Sequence, residues 1–454
     1  MGALFFTYTT LSLRLHQRML SNAFDLGIFE QVVKSYAEGH LPLSEIKGPD
    51  FPVMGDHFHP ILASVAPFYR LWPSPMVLLV VQAALIAVSV LPLTLWARRA
   101  LGSGAAGVIG VCYGLSWGIA SAVGMDFHEV AFAVPLLAFS LTALGNDRLV
   151  AAACWALPLL LVKEDLGLTV AVIGVLIARR GARRLGIATA AIGVVGAALA
   201  MFVILPAFNP KGGYAYLHWL PGAGGGEGGE GGEGGLAELL FKGTIGLITP
   251  EAKVTTLLFV LAPTLFLALR SPLLWVVLPT LLWRFASGLW THWGTSYHYS
   301  LVLMPIVFAA FVDALSRRQP SGKSLRRYLV GSVVVTTLFL PQFPLWQLVK
   351  PETWRTDPRV AVAHRLMDRV PDGATIQASN QLVPQLTDRT KASLYGWPDS
   401  RPHPEWIMVD TQVPLSRRWP LNPMEERISL DRALMQGYRT VAERDGFVLL
   451  TRSG

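Results

Sequence analysis

Residues 76–99 read MVLLVVQAALIAVSVLPLTLWARR, an uncharged run closed by two arginines. About 20 predominantly apolar residues suffice to cross the hydrocarbon core as a helix, and arginines just beyond such a run mark its cytoplasmic end. The pattern recurs on both sides of this stretch. Further clear spans are predicted at 103–123, 185–206 and 329–349, and shorter ones at 130–145, 149–162, 166–178, 254–269, 271–286 and 300–315. With Arg98 and Arg99 in the cytoplasm, alternation puts 146–148, 179–184, Arg270 and 317–327 there too, each a short gap carrying basic residues. The opposite side receives 21–75, 124–129, 163–165, 207–253, 287–299 and everything from Lys350 onward. The fold expected is an α-helical polytopic membrane protein of ten or eleven transmembrane helices with a small C-terminal extracytoplasmic α/β domain, multi-pass in the cell membrane.

Composition agrees. Of 454 residues, 52% are hydrophobic and 15% charged, against about 25% charged in soluble domains, which excludes an ordinary globular enzyme. The last 105 residues hold 15 basic and 13 acidic side chains, leaving 40 of the 68 charges for the 349 residues before them. The net charge of +8 raises nucleic acid as a partner, but its densest clusters lie between apolar runs, so the bilayer is the partner expected and nucleic acid is not. Cys112 and Cys154 both sit inside apolar runs and offer neither a disulfide framework nor a thiolate metal site.

Residues 1–13 are apolar but short, and Arg14, His16 and Arg18 follow on what would be the outer side. A first helix incomplete at its start is the reading adopted. A signal peptide fits poorly, because no basic region precedes the run and no small-residue cleavage site follows it. Residues 222–235, GAGGGEGGEGGEGG, form a low-complexity tract unable to bury apolar surface. In the tail, helical spacing predicts helices over 357–370 and 424–440, and short apolar runs predict strands at 375–378, 406–409 and 447–451.

A charge-poor chain nevertheless keeps ionisable residues beside its spans on one side. They are Asp25 and Glu30 in FDLGIFEQ, Asp56, His57 and His59 in GDHFHP, Asp126, His128 and Glu129 in MDFHE, Lys163, Glu164 and Asp165 in KED, and Arg284, His292 and His298 in the loop after residue 283. Each group alone has an ordinary explanation: Asp25 and Glu129 as first-turn charges, KED as a hydrated cluster, Arg284 and the histidines as interfacial anchors beside tryptophans. Their shared side is what suggests a site, since ionisable groups near membrane depth are costly and often functional. A carboxylate base with cations that hold phosphate is the division of labour that group transfer requires. Asp56, His57, His59, Asp126, His128 and Glu129 are also ligand types for a divalent metal, although D-H-x-H is no established motif.

FDLGIFEQ, GDHFHPIL with the following APFYRLWPSP, MDFHEVAFAVP and LVKEDLGL, in that order, resemble a prokaryotic membrane-protein family catalogued as domain of unknown function 2079. The resemblance runs over residues 21–206, with looser similarity at ASNQLVPQLTDR in the tail. That family is similar to the C-type glycosyltransferase superfamily, which implies a polyprenyl-phosphate-linked sugar donor and a catalytic carboxylate in the first outer loop. Asp25 matches that carboxylate and is the implied base. Asp126, His128 and Glu129 would shape the acceptor or a metal site, and Lys163 or Arg284 would hold donor phosphate. The alternatives are a transporter or flippase for a lipid or small solute, and a non-catalytic scaffold, whose outer carboxylates would not converge.

Overall fold

In a computed structural model, residues 1–214, 216 and 244–452 are described. The Gly/Glu tract at 222–235 lies outside them. Three helices among the described residues are long and apolar enough to cross a membrane: Met76–Leu101, Arg183–Phe208 and His298–Arg318. The last is the axis of the bundle, with 89% of its most apolar window buried, whereas Arg183–Phe208 at the rim has only 22% buried and turns Ile187, Val195 and Phe202 outward. That rim helix packs on Leu166–Arg179 through glycines. A Cβ on Gly174 would meet the Ala190 backbone nitrogen at 2.5 Å, and one on Gly186 would meet that of Ala178 at 2.3 Å. Such close backbone approach is how helices associate where lipid supplies no hydrophobic drive.

The remaining expected crossings fall on shorter or broken helices, including Glu129–Gly145, Leu149–Leu161, Leu166–Arg179 and Pro272–Ala286. At 1.5 Å per residue a 14-residue helix reaches only about 21 Å, short of a core about 30 Å thick. Two spans expected to be continuous are not. The 103–123 run divides into Ser103–Gly114 and Trp117–Gly124, bent by 41°. The 329–349 run is helical only to the end of Gly322–Phe339 and then continues as 3₁₀ turns at Leu340–Gln342 and Pro344–Val349, because Pro341 and Pro344 lack the N–H a helix needs. Residues 254–269 are likewise cut short: Glu251–Leu261 passes through a 3₁₀ turn into Leu265 and Phe266, both left-handed.

Helix α1 (Gly2–Gln17) leads into a π-helical turn, Ala23–Gly27, and helix α2 (Ile28–Ala37). A short antiparallel pair, β1 (Leu43–Ser44) and β2 (Phe51–Pro52), follows before the chain re-enters the bundle at Met76. The tail is a five-stranded mixed sheet of β3 (Thr375–Ala378), β4 (Lys391–Leu394), β5 (Trp406–Asp410), β6 (Tyr438–Arg444) and β7 (Phe447–Arg452), in the order β4-β3-β5-β7-β6. Strand β3 runs parallel to β4 and β5, and β7 runs antiparallel to β5 and β6. Helix Pro358–Met367 starts where Asp357 accepts from the Arg359 N–H, and Pro423–Met435 starts at an Asn422–Glu425 capping box. The second tail helix thus ends five residues before the expected 440, because Gly437 turns at a positive φ of 92° and the chain becomes β6.

The tail does more than hang from the last helix. Ala23, Leu26 and Val32 of the first loop share one apolar cluster with Ile376, Val383 and Leu394 of the tail. Polar contacts lock the same interface. Asn380 Oδ1 accepts from the Ala23 N–H at 2.9 Å, Gln31 Nε2 donates to the Ala392 carbonyl at 2.8 Å, and Arg401 grips Glu45 with two nitrogens at 2.8 Å. This docking fixes the position of the turn that carries Asp25.

Candidate active site

A cavity of about 300 Å³ opens at the end of the bundle that faces the tail. Chain segments separated by up to about 270 residues contribute to it, and the ionisable ones enter from loops or helix ends, where backbone geometry is free to aim a side chain inward. The π-turn supplies Asp25, residues 56–59 supply Asp56, His57 and His59, the break before residue 133 supplies His128 and Glu129, the 163–165 turn supplies Lys163, Glu164 and Asp165, and the 287–299 loop supplies His292 and His298.

Four acid–base pairs ring the space. Asp25 Oδ1 is 3.2 Å from His128 Nε2, Asp56 Oδ2 is 3.0 Å from Lys47 Nζ, Glu129 Oε1 is 2.9 Å from Lys163 Nζ, and Glu164 Oε1 is 3.0 Å from His57 Nδ1. His128 Nδ1 lies 2.9 Å from the Asp126 carbonyl. A carbonyl and a carboxylate both only accept, so these two contacts are satisfied together by the imidazolium, with Nδ1–H donating to the Asp126 carbonyl and Nε2–H to Asp25. The His128 N–H is held by Gln82 Oε1 at 3.0 Å, and its ring stacks on His298 with centroids 3.5 Å apart. Asp25 is thereby oriented by an imidazole that is itself held on three sides.

The electrostatics follow from burial and pairing. Burial works against a charged His57, but Glu164 outweighs it and the imidazole is pushed above its usual range. His128 is raised in the same way, with Asp25 overcoming burial. Burial would raise Glu164, yet His57 and Lys163 hold it down at about 2. Asp165 goes the other way, to about 6, because burial, with repulsion from Glu164 and Glu129, outweighs the attraction of Lys163. His59 is lowered to about 4 by burial, and neither of its ring nitrogens has a hydrogen-bond partner among the described residues. Two unfilled nitrogens in a buried ring that lines a cavity are groups a polar ligand can satisfy.

Three residues read from the sequence as part of this site lie elsewhere. Glu30 is fully buried between the loop and the tail, accepting from Tyr69 Oη at 2.8 Å and from Thr387 Oγ1. Arg284 is also fully buried, and its guanidinium is taken up by the His292 and Gly294 carbonyls at 2.8 and 3.0 Å and by Ser300 Oγ at 3.1 Å. It staples the loop that carries His292 and His298, so no N–H is directed at a ligand phosphate in the cavity. Asp126 turns away from the cavity, its Oδ2 accepting from both the backbone and side-chain N–H of Asn22. Among the described residues, no group of three or more His, Cys, Asp or Glu side chains is arranged to hold a metal ion. Five of the six candidate ligands instead divide among separate partners, two of them lysines, and His59 has none among the described residues.

Sequence reasoning missed Lys47, Tyr214 and Tyr216. Tyr214 donates to Glu164 Oε1 at 2.9 Å, Tyr216 donates to Asp56 Oδ1 at 3.1 Å, and the Tyr216 ring stacks on His57 with centroids 4.5 Å apart. GYAY beside the glycine-rich tract was the local signal, a pair of tyrosines two residues apart. What results is a compact, aromatic-walled cavity in which the Asp25 side chain keeps 26% of its surface exposed while its partner His128 is 5% exposed.

The architecture, a helical membrane bundle with a small mixed-sheet tail, is like that of ArnT. The chain superposes on ArnT from Cupriavidus metallidurans bound to undecaprenyl phosphate with a TM-score of 0.53 at 13% identity, covering 100% of this chain and 98% of that one. Against the apo ArnT structure the TM-score is 0.51, again at 13% identity, over 97% and 95% of the two chains. Residues 15–449 match the family described as "Predicted membrane protein (DUF2079)", and the chain belongs to that family. No curated protein matches its sequence.

Proposed function

We propose that the protein is a membrane glycosyltransferase that moves a sugar from a polyprenyl-phosphate-linked donor to an acceptor hydroxyl, in a cavity on the extracytoplasmic face of the cell membrane. The observation that carries this is Asp25: a partly exposed carboxylate at the start of the first loop, fixed by His128, opening into a cavity at the membrane end of an ArnT-like fold. That one ArnT structure is bound to undecaprenyl phosphate supports the lipid class of the donor. In the step proposed, the acceptor O–H gives its proton to Asp25 while its oxygen bonds to the anomeric carbon. The bond from that carbon to the phosphate oxygen breaks, and polyprenyl phosphate leaves with the electron pair. A positioned carboxylate suits the proton transfer, and the aromatic walls suit a sugar ring. Lys163 is the cavity cation nearest to serving the leaving phosphate, by exchanging Glu129 for it. No step calls on a divalent metal.

The ionisable loops converge on one cavity, which supports an enzyme over a scaffold. The test is mass spectrometry of lipids that co-purify with the protein, followed by turnover of lipid-linked sugar in membranes carrying the wild type or Asp25→Asn. Polyprenyl phosphate should co-purify, and the variant should insert normally yet lose transfer. Full transfer by Asp25→Asn refutes the assignment.

A further inference from the structure

At the end of the bundle away from the tail, Ser103–Gly114 and Gly322–Phe339 run side by side and leave an open groove of about 530 Å³ between them. Helix Met76–Leu101 fixes which end this is. Val77, Leu78 and Leu79 at its start pack in the apolar cluster shared with the tail, and Leu101 at its other end, about 37 Å away at 1.5 Å per residue, lines the groove. Leu101, Gly104 and Val108 form one wall, and Arg326, Leu329 and Val333 stand on the other. Neighbouring helices ordinarily close such a space with their side chains. Gly104 leaves it open, since a Cβ there would meet nothing within 4 Å, and Val333 opposite is 41% exposed. The wall from residue 322 to residue 334 is about 18 Å long, close to one leaflet of a hydrocarbon core about 30 Å thick.

The rim of the groove is cationic. Arg326 lines it, Lys323 and Arg327 sit beside Arg326 on the same helix, and Arg98 and Arg99 close the helix that supplies Leu101. All five side chains are exposed. Among the described residues, none of the five has an ion pair or a side-chain hydrogen bond. The acids that the chain places at this end, Asp147 and Asp313, are already taken by Arg180 and Arg317. Both wall helices also begin here, Ser103–Gly114 without a side-chain cap, so their positive dipole ends add to the same field. The site is apolar along the helices and cationic at the rim, which is the order of an anionic phospholipid. A zwitterionic headgroup would leave the cations uncompensated, and an isologous contact with a second copy would set two such clusters against each other.

We infer that this groove binds an anionic phospholipid of the leaflet opposite the tail, with one acyl chain between Gly104 and Val333 and the headgroup phosphate at Arg326. The site lies at the other end of the bundle from Asp25 and does not depend on glycosyl transfer. Each cation beside an anionic headgroup contributes about five-fold in affinity.

The test titrates the full chain in neutral detergent with phosphatidylglycerol and with phosphatidylcholine of the same acyl chains, and counts bound lipid by native mass spectrometry. Phosphatidylglycerol should bind about five-fold or more tightly than phosphatidylcholine. Arg326→Ala should remove most of that preference and Arg326→Glu all of it, whereas Arg326→Lys should keep it. Arg439→Glu, the same charge change at an exposed position of the tail, should leave it unaltered. Gly104→Leu and Val333→Phe fill the groove and should weaken both lipids alike, so that affinity falls while the preference survives. Arg326 is unpaired and Gly104 faces open space, so these variants should melt with the wild type, and Asp25→Asn should bind both lipids as the wild type does. Equal binding of the two lipids, a preference lost as fully in Arg439→Glu as in Arg326→Glu, or unchanged affinity in both groove-filling variants overturns the inference. So does a lipid-free dimer that dissociates in Gly104→Leu, which would make the groove a contact between copies of the chain.

Discussion

Glu30→Gln probes the junction between the first loop and the tail. Burial drives the Glu30 carboxyl up to about 8 from an ordinary 4.5, with Asp388 adding repulsion, while hydrogen bonds from Thr387 and Tyr69 oppose the shift only in part. A carboxyl raised on folding is protonated in the folded state where the unfolded chain is already ionised. Its contribution is therefore fully present below pH 4.5 and lost as pH rises through 8. Linkage at 1.36 kcal/mol per unit makes the loss between pH 5 and pH 8 about 3 kcal/mol. Glutamine keeps an oxygen for Tyr69 and an amide for Thr387 but cannot ionise. The assay is hydrogen exchange of β3 and β4 in detergent at several pH values, comparing wild type with Glu30→Gln so that titration of Asp126 and Asp165 cancels. The two should protect the tail equally near pH 5, and the variant should protect it better by one to two orders of magnitude near pH 8.5. Equal protection at both ends of the range, or a wild type that tightens with rising pH, would falsify the reasoning.

Other perturbations test the cavity. Lys163→Met strands the Glu129 carboxylate, whose side chain is 2% exposed. Breaking one partner of a buried pair costs about 3–5 kcal/mol, so thermal melts should fall sharply and recover in large part in Lys163→Met/Glu129→Leu. Arg284→Lys cannot reproduce contacts to two carbonyls and a hydroxyl from one planar group; hydrogen exchange over 287–300 should rise while that of β3 stays constant.

The membrane class was legible because the length of an apolar run and the basic residues at its ends are local properties, and both survive any packing. Met76–Leu101 and Arg183–Phe208 emerged close to where hydropathy alone put them. Continuity was less legible, since a 21-residue apolar run such as 103–123 satisfies lipid whether it is straight or broken at Leu115 and Ser116. The four polar motifs and their shared side were also readable, but not their pairing. Asp25 and His128 are 103 residues apart, and His57 and Glu164 are 107 apart. Which charges meet is decided by how helix ends stack and by the tail docking on the first loop. The same packing sends Glu30 into the loop–tail core and uses up Arg284 inside its own loop, while it brings Lys47, unmarked in the sequence, to Asp56. Sequence determined where charge could be tolerated, because solvation by lipid or water acts on each segment separately. Only the tertiary structure decided which charges face a common cavity, because a pair needs its two groups within about 3 Å.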